Sequence, residues 1–254
     1  MRTVLRIAGI VVLASTVAAA MADPPYVGKW KLNTAKSDFG QLTATYETVA
    51  GGGFKATMDG VSYTFKVDGM PVATPWGTMA SWKAINTTTW EIASTASGKP
   101  FSTDTVRLSP DGKTMTIDSK MALGATSSTT FTRVSGGPGL AGTWKAAKMS
   151  TGAGIVEISA KGTDGIVLRL ADMGATCDGK LDGKPNQATG PAFPTGWTCA
   201  FTKNGANGFT VAFNKDGKPM YSSTFTASAD GKTLTEAGGS VNTKEKTKAV
   251  YDRQ

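Results

Sequence analysis

The two halves of this chain repeat one another. Val27-Gly28-Lys29-Trp30-Lys31 returns as Ala141-Gly142-Thr143-Trp144-Lys145, and Val67-Asp68-Gly69-Met70-Pro71 as Leu181-Asp182-Gly183-Lys184-Pro185, both 114 positions on. Gly98-Lys99-Pro100 returns as Gly217-Lys218-Pro219, and Asp111-Gly112-Lys113-Thr114-Met115-Thr116 as Asp230-Gly231-Lys232-Thr233-Leu234-Thr235, now 119 apart. Phe131-Thr132-Arg133 is answered by Tyr251-Asp252-Arg253 at 120. Matches in one order with so little drift in spacing mark a duplicated domain. The sequence therefore divides into a first unit over 23–135, a Gly136-Gly137-Pro138-Gly139 linker at 136–139, and a second unit over 140–254. Each unit is long enough for its own core. The linker is too short to let the units separate widely.

Ahead of the first unit, residues 1–22 read as a secretory signal peptide. Arg2 and Arg6 supply the positive end, Ile7 to Ala19 is an apolar run too short to span a bilayer comfortably, and Ala20-Met21-Ala22 is a small-x-small cleavage site. The mature chain then begins at Asp23, and its address is periplasmic or secreted. With no other long apolar stretch it is not expected to span a membrane. The only two cysteines, Cys177 and Cys199, both lie in the second unit. An even pair in an exported chain is expected to form a structural disulfide. They are not in a Cys-x-x-Cys arrangement, which argues against a redox-active role. The formal charge of +8 falls to +6 without Arg2 and Arg6, and the lysines are scattered. Nucleic acid readers concentrate charge on one face, so no nucleic acid partner is expected.

Both units read as all-β. Val61 to Val67 alternates and places Val61, Tyr63, Phe65 and Val67 on one face. Thr105–Ser109, Thr114–Asp118 and Gly165–Leu170 alternate too, and Phe209, Val211 and Phe213 form a further stripe. Asp-Gly occurs at Asp59, Asp68, Asp111, Asp164, Asp178, Asp182, Asp216 and Asp230, and Asn-Gly at Asn204 and Asn207. Such pairs suit tight hairpins, so these eight aspartates are assigned to turn chemistry. Many short strands joined by hairpins describe a sandwich or an up-and-down barrel.

The chemistry on offer is narrow. The chain has no histidine. That removes Ser-His-Asp and Cys-His catalysis, His-ligated zinc and a neutral-pH imidazole shuttle. Gly51-Gly52-Gly53 lacks the Lys-Ser/Thr of a phosphate loop. No metal or cofactor is expected. Carboxylate-pair hydrolysis needs only Asp and Glu. Outside the turns it would draw on Glu47, Glu91, Asp104, Asp118, Glu157, Asp172 and Glu236, with Glu91, Asp104 and Asp172 the ones to test. Most sit in alternating strands and are expected to be outward, solvated side chains, so an enzyme is not the favoured reading.

Gly-x-Trp on each opening strand, with an Arg near the end of each last strand, resembles the calycin superfamily. That group includes lipocalins, fatty-acid-binding proteins, avidins and small secreted metalloprotease inhibitors. Val27 to Ser37 also resembles the start of exported bacterial lipocalin-like proteins. The resemblance implies two tandem antiparallel up-and-down barrels, each closed by an Arg lying across a Trp. Carried over within each unit, the pairs are Trp30 with Arg133 and Trp144 with Arg253. A guanidinium over an indole contributes about 0.5–2 kcal/mol.

Aromatic residues supply the candidate site. Trp76, Trp82 and Trp90 crowd one stretch of the first unit, and Trp197, Phe201, Phe209 and Phe213 the matching stretch of the second. They either line a cavity for an apolar or flat ligand or fill the barrels as core. Ligand-binding candidates are Tyr63, Trp76, Trp82, Trp90, Trp197, Phe209 and Phe213. Foremost are the proline-punctuated segments Pro71 to Gly77, carrying Trp76, and Pro191 to Trp197. The leading expectation is an exported, non-enzymatic binding protein for a small hydrophobic or amphipathic molecule. The alternative is a protein-interaction module or protease inhibitor with an envelope protein as partner.

Overall fold

The computed structural model describes residues 23–39, 42–151, 154–244 and 246–254. The proposed signal peptide at 1–22 lies outside these. The described residues form twenty strands and two single-turn 3-10 helices, arranged as two nearly closed antiparallel sheets of ten strands each. No helix among them is long and apolar enough to cross a membrane.

The first barrel is one continuous piece of chain. It comprises β2 (Thr43–Val49), β3 (Gly53–Met58), β4 (Val61–Phe65), β5 (Asp68–Ala73), β6 (Thr78–Ala84), β7 (Thr89–Ala96), β8 (Lys99–Leu108), β9 (Thr114–Met121), β10 (Thr126–Ser135) and β11 (Gly142–Thr151). Their order in the sheet is β4-β3-β2-β11-β10-β9-β8-β7-β6-β5. The second barrel takes β1 (Gly28–Leu32) from the far end of the chain. It joins β12 (Ile155–Lys161), β13 (Gly165–Leu170), β14 (Ala175–Lys180), β15 (Asn186–Gln187), β16 (Trp197–Asn204), β17 (Gly208–Lys215), β18 (Lys218–Ala227), β19 (Thr233–Ser240) and β20 (Thr247–Arg253). Here the order is β14-β13-β12-β1-β20-β19-β18-β17-β16-β15.

The opening strands are therefore exchanged between the repeats. This corrects the unit boundaries read from the sequence, because β1 leaves the first unit and β11 leaves the second. The physical reason lies in the segment read as a linker. Residues 136–141 join β10 to β11 as an antiparallel hairpin, with Arg133 opposite Trp144 and Phe131 opposite Ala146. That hairpin gives β11 to the first barrel, between β10 and β2. The place between β12 and β20 is then filled by β1, with Lys29 opposite Glu157 and Trp30 opposite Arg253. The β1–β12 pairing runs on one residue past Ile155, where Leu32 donates to the Gly154 carbonyl at 2.9 Å.

The Arg–Trp stacks follow the exchange. Arg253 lies over Trp30 at 4.2 Å, and Arg133 over Trp144 at 4.0 Å. The expected partners are thus traded, although the local device is the same in both copies. Each indole donates to a carbonyl four residues upstream, Trp30 to Tyr26 at 2.9 Å and Trp144 to Leu140 at 3.0 Å. Each Arg binds backbone carbonyls of the opening segment, Arg253 those of Pro25 and Val27, Arg133 those of Gly137, Gly139 and Ala141. This explains the glycine of Gly-x-Trp. Gly28 and Gly142 have φ of +151° and +141°, and a Cβ there would stand 2.5 and 2.9 Å from the Arg Nη1.

Two further expectations need revision. Asp178-Gly179 is not a turn but lies within β14, where Asp178 pairs with Val167 and its carboxylate meets Lys161. Gly179 is there for closeness, since a Cβ would meet Asn186 and Phe201. Cys177 and Cys199 meet, as expected, on β14 and β16, but they are free and buried, so the expected disulfide is not formed. A hydrogen bond to Cys199 and burial together push the Cys177 thiol far up. The apolar second core surrounds both.

Candidate functional site

The two barrels meet through loop contacts, and the loop carrying Trp76 and the segment ending at Trp197 lie there. Pro71 to Ala73 belong to the edge strand β5, where a missing N–H is tolerated. The chain then turns at Thr74–Gly77, closed by Gly77 N–H to the Thr74 carbonyl at 3.1 Å. That turn carries Trp76 across to the second barrel, where it packs against the second core. Its indole donates to the Tyr221 hydroxyl at 2.7 Å, and its carbonyl accepts from Trp197 Nε1 at 2.9 Å. Gly77, at φ +80°, makes the approach possible, since a Cβ would stand 2.8 Å from the Lys215 side chain.

A second contact comes from the β3–β4 turn. Tyr221 donates to the Asp59 carboxylate at 3.1 Å, and the Ser240 hydroxyl to the Asp59 carbonyl at 2.6 Å. Asp59, assigned from sequence to turn chemistry, keeps its positive φ of 53° and also docks one barrel on the other. Burial pushes its pKa up, opposed by the Tyr221 hydrogen bond.

Between these contacts is a cavity of about 480 Å³. Its aromatic walls are Trp76 and Phe101 from the first barrel and Phe193, Trp197, Phe213 and Tyr221 from the second. Phe193 and Phe213 stack at 5.3 Å, and Trp197 and Tyr221 lie 12° from parallel at 6.3 Å. The polar groups facing it include Asp59, Ser223, Glu236 and Ser240. Glu236 accepts from the Tyr251 hydroxyl at 2.7 Å and is also hydrogen-bonded by Ser223. Burial pushes the Glu236 carboxyl up despite those bonds, and burial beside Glu236 pushes the Tyr251 phenol up. Glu236 is partly buried and lines this cavity.

Of the aromatic candidates, Trp76, Trp197 and Phe213 line the cavity. Tyr63 touches the edge of Trp76 at 6.2 Å and accepts from Trp82 Nε1 at 3.1 Å. Trp82, Trp90 and Phe209 are buried in the barrel cores. The carboxylates offered for hydrolysis are not brought together. Glu91 is exposed on β7, while Asp104, opposite Ile92, is on the other face of that sheet. Burial pushes Asp104 up, opposed by hydrogen bonds with Ser119 and Ser102. Asp172 instead receives the Gly154 N–H. Asp104 and Glu236 are thus partly buried rather than outward and solvated.

Sequence reasoning set Glu236 aside as an outward carboxylate and Asp59 as a turn residue, and it did not single out Tyr221. One signal was available in the repeat itself. Strand register places Glu236 where the first barrel has Ile117, and Tyr251 where it has Phe131. Two apolar inward positions have become a hydrogen-bonded polar pair. Comparison with protein-family models and with curated proteins finds no match.

Proposed function

We propose that this chain is an exported, non-enzymatic binding protein whose two lipocalin-like barrels jointly hold one small hydrophobic or amphipathic molecule. The observation that carries the reading is the 480 Å³ cavity, walled by aromatic side chains from both barrels with a few fixed polar groups. Ligand sites are commonly of this size and make-up, and they favour junctions between domains. The paired Gly-x-Trp and Arg stacks support a calycin-like assignment. The leader-like residues 1–22 support export.

On this reading the ligand sits between the barrels rather than deep within either, and Trp76 closes over it as part of the wall. The test is native mass spectrometry of protein gently purified from its own host, for the wild type and Trp76→Ala. A discrete added mass, lost on denaturation and reduced in the variant, is the expected result. A bare wild-type mass, together with no response of tryptophan fluorescence to a panel of hydrophobic probes, would sink it.

A further inference from the structure

We infer that the cavity between the barrels selects a flat aromatic molecule bearing an amine, held as the ammonium ion against Glu236. The inference rests on the binding role proposed above and specifies the chemistry of the ligand.

The first argument is charge. Two carboxyl groups, Asp59 and Glu236, line the cavity, and among the described residues no lysine or arginine does. The protein as a whole carries +8, so this local sign runs against its overall balance. The nearby Lys246 ammonium is held on the Ser240 carbonyl at 2.8 Å.

The second argument is hydrogen-bonding capacity. A carboxylate accepts about four hydrogen bonds. Glu236 receives those of Tyr251 and Ser223, which fix its orientation and leave acceptor capacity for a donor in the cavity. Tyr221 donates to Asp59 and accepts from Trp76, so its hydroxyl is committed to the contact between the barrels.

The third argument comes from the repeat. The matching positions in the first barrel, Ile117 and Phe131, are apolar and pack in its core. The Glu236–Tyr251 pair therefore occurs only in the barrel that opens on the cavity. A partly buried carboxylate without an opposite charge is costly. An ammonium group would offset that cost, whereas a carboxylate ligand would add to it. The stacked pairs Phe193–Phe213 and Trp197–Tyr221 suit a planar body, and their faces also attract a cation.

The test is isothermal titration of the full mature chain at neutral pH with three matched probes: 2-(1-naphthyl)ethylamine, 2-(1-naphthyl)ethanol and 1-naphthylacetate. The amine is expected to bind at least tenfold more tightly than the alcohol, and the acid more weakly than either. In Glu236→Gln the advantage of the amine over the alcohol should fall about tenfold, with the alcohol unchanged. Binding of the alcohol or the acid as tight as that of the amine would overturn the charge selection and leave the binding role standing. So would an amine preference that survives in a folded Glu236→Gln. If none of the three produces heat or a change in tryptophan fluorescence, both readings fail. The wild-type comparison decides the matter even if the variant does not fold.

Discussion

The two barrels share a strand plan and differ in where their aromatic residues stand. Strand register places Tyr46, Tyr63 and Phe65 of the first barrel at the positions of Ile158, Cys177 and Gly179 in the second. In the first, Phe65 stacks on Trp82 at 4.1 Å and Tyr46 meets Trp82 edge-on at 5.9 Å, which fills the interior. The bias is reversed on strands β16 to β18. There Trp197, Phe213 and Tyr221 replace Thr78, Ser94 and Ser102, and these larger rings wall a cavity. Even the bulge after Phe213 matches the one after Ser94. One duplicated backbone thus carries a filled barrel and a barrel that opens toward its neighbour. Side-chain placement, not topology, makes the difference.

The sharpest way to break this comparison is to attack the exchanged strand. Trp30→Ala should cost roughly 3–5 kcal/mol, and the loss should appear in residues 155–254 rather than in 42–135. Hydrogen exchange read by mass spectrometry would report it, and loss of protection confined to the first repeat would contradict the exchange. In the same vein, residues 38–151 expressed alone should melt in one cooperative transition, since they contain all ten strands of the first barrel.

Next in size is the junction. Tyr221→Phe removes the donor to Asp59 and the acceptor for Trp76, and should cost about 1–3 kcal/mol in denaturant unfolding. An unchanged midpoint would mean the barrels do not depend on this contact.

A double-mutant cycle separates the two possible Arg–Trp pairings more finely. Trp30 and Arg253 should couple by about 0.5–1 kcal/mol. Trp30 and Arg133 should show no coupling, and finding the reverse would restore the unexchanged pairing.

The interior carboxyls give a pH signature. Burial raises Asp104 and Glu236 in the folded state, so their protonated forms are favoured there. Their destabilising effect is absent below the ordinary carboxylate range and grows as pH rises through the raised values. Asp104→Asn and Glu236→Gln should each raise the melting temperature at neutral pH and flatten its fall with rising pH. Glu236→Gln keeps an acceptor for Tyr251 and Ser223, so the comparison isolates the charge.

The smallest effect concerns the thiols. Protein kept reduced should react with a thiol reagent at Cys177 and Cys199 only on unfolding, because both are buried and the Cys177 thiol is held neutral. Rapid modification of the native protein would show that the seam between β14 and β16 opens.

Much of this was legible in the chain. Alternation at Val61–Phe65 and Gly165–Leu170 gave strands β4 and β13, because one-sided burial imposes a period of two. The Trp76 loop was singled out because Pro71 and Pro75 punctuate it. Glu236 was lost for a local reason, since its strand alternates and nothing nearby says which face turns inward. Its partner Tyr251 comes from a different strand.

By itself the sequence determined that the molecule is two copies of one antiparallel plan, and that each copy closes with a glycine, a tryptophan and an arginine. The first rests on matched segments 114 to 120 positions apart together with local alternation and turn chemistry, and the second is what the Gly-x-Trp and terminal Arg motifs imply by resemblance. Which copy's arginine meets which tryptophan was decided only in three dimensions. Both pairings satisfy the same local chemistry, so it is the placing of β11 beside β10 and of β1 beside β20 that decides between them. The cavity was decided there too, because it exists only where Trp76 of one barrel reaches Tyr221 and Trp197 of the other.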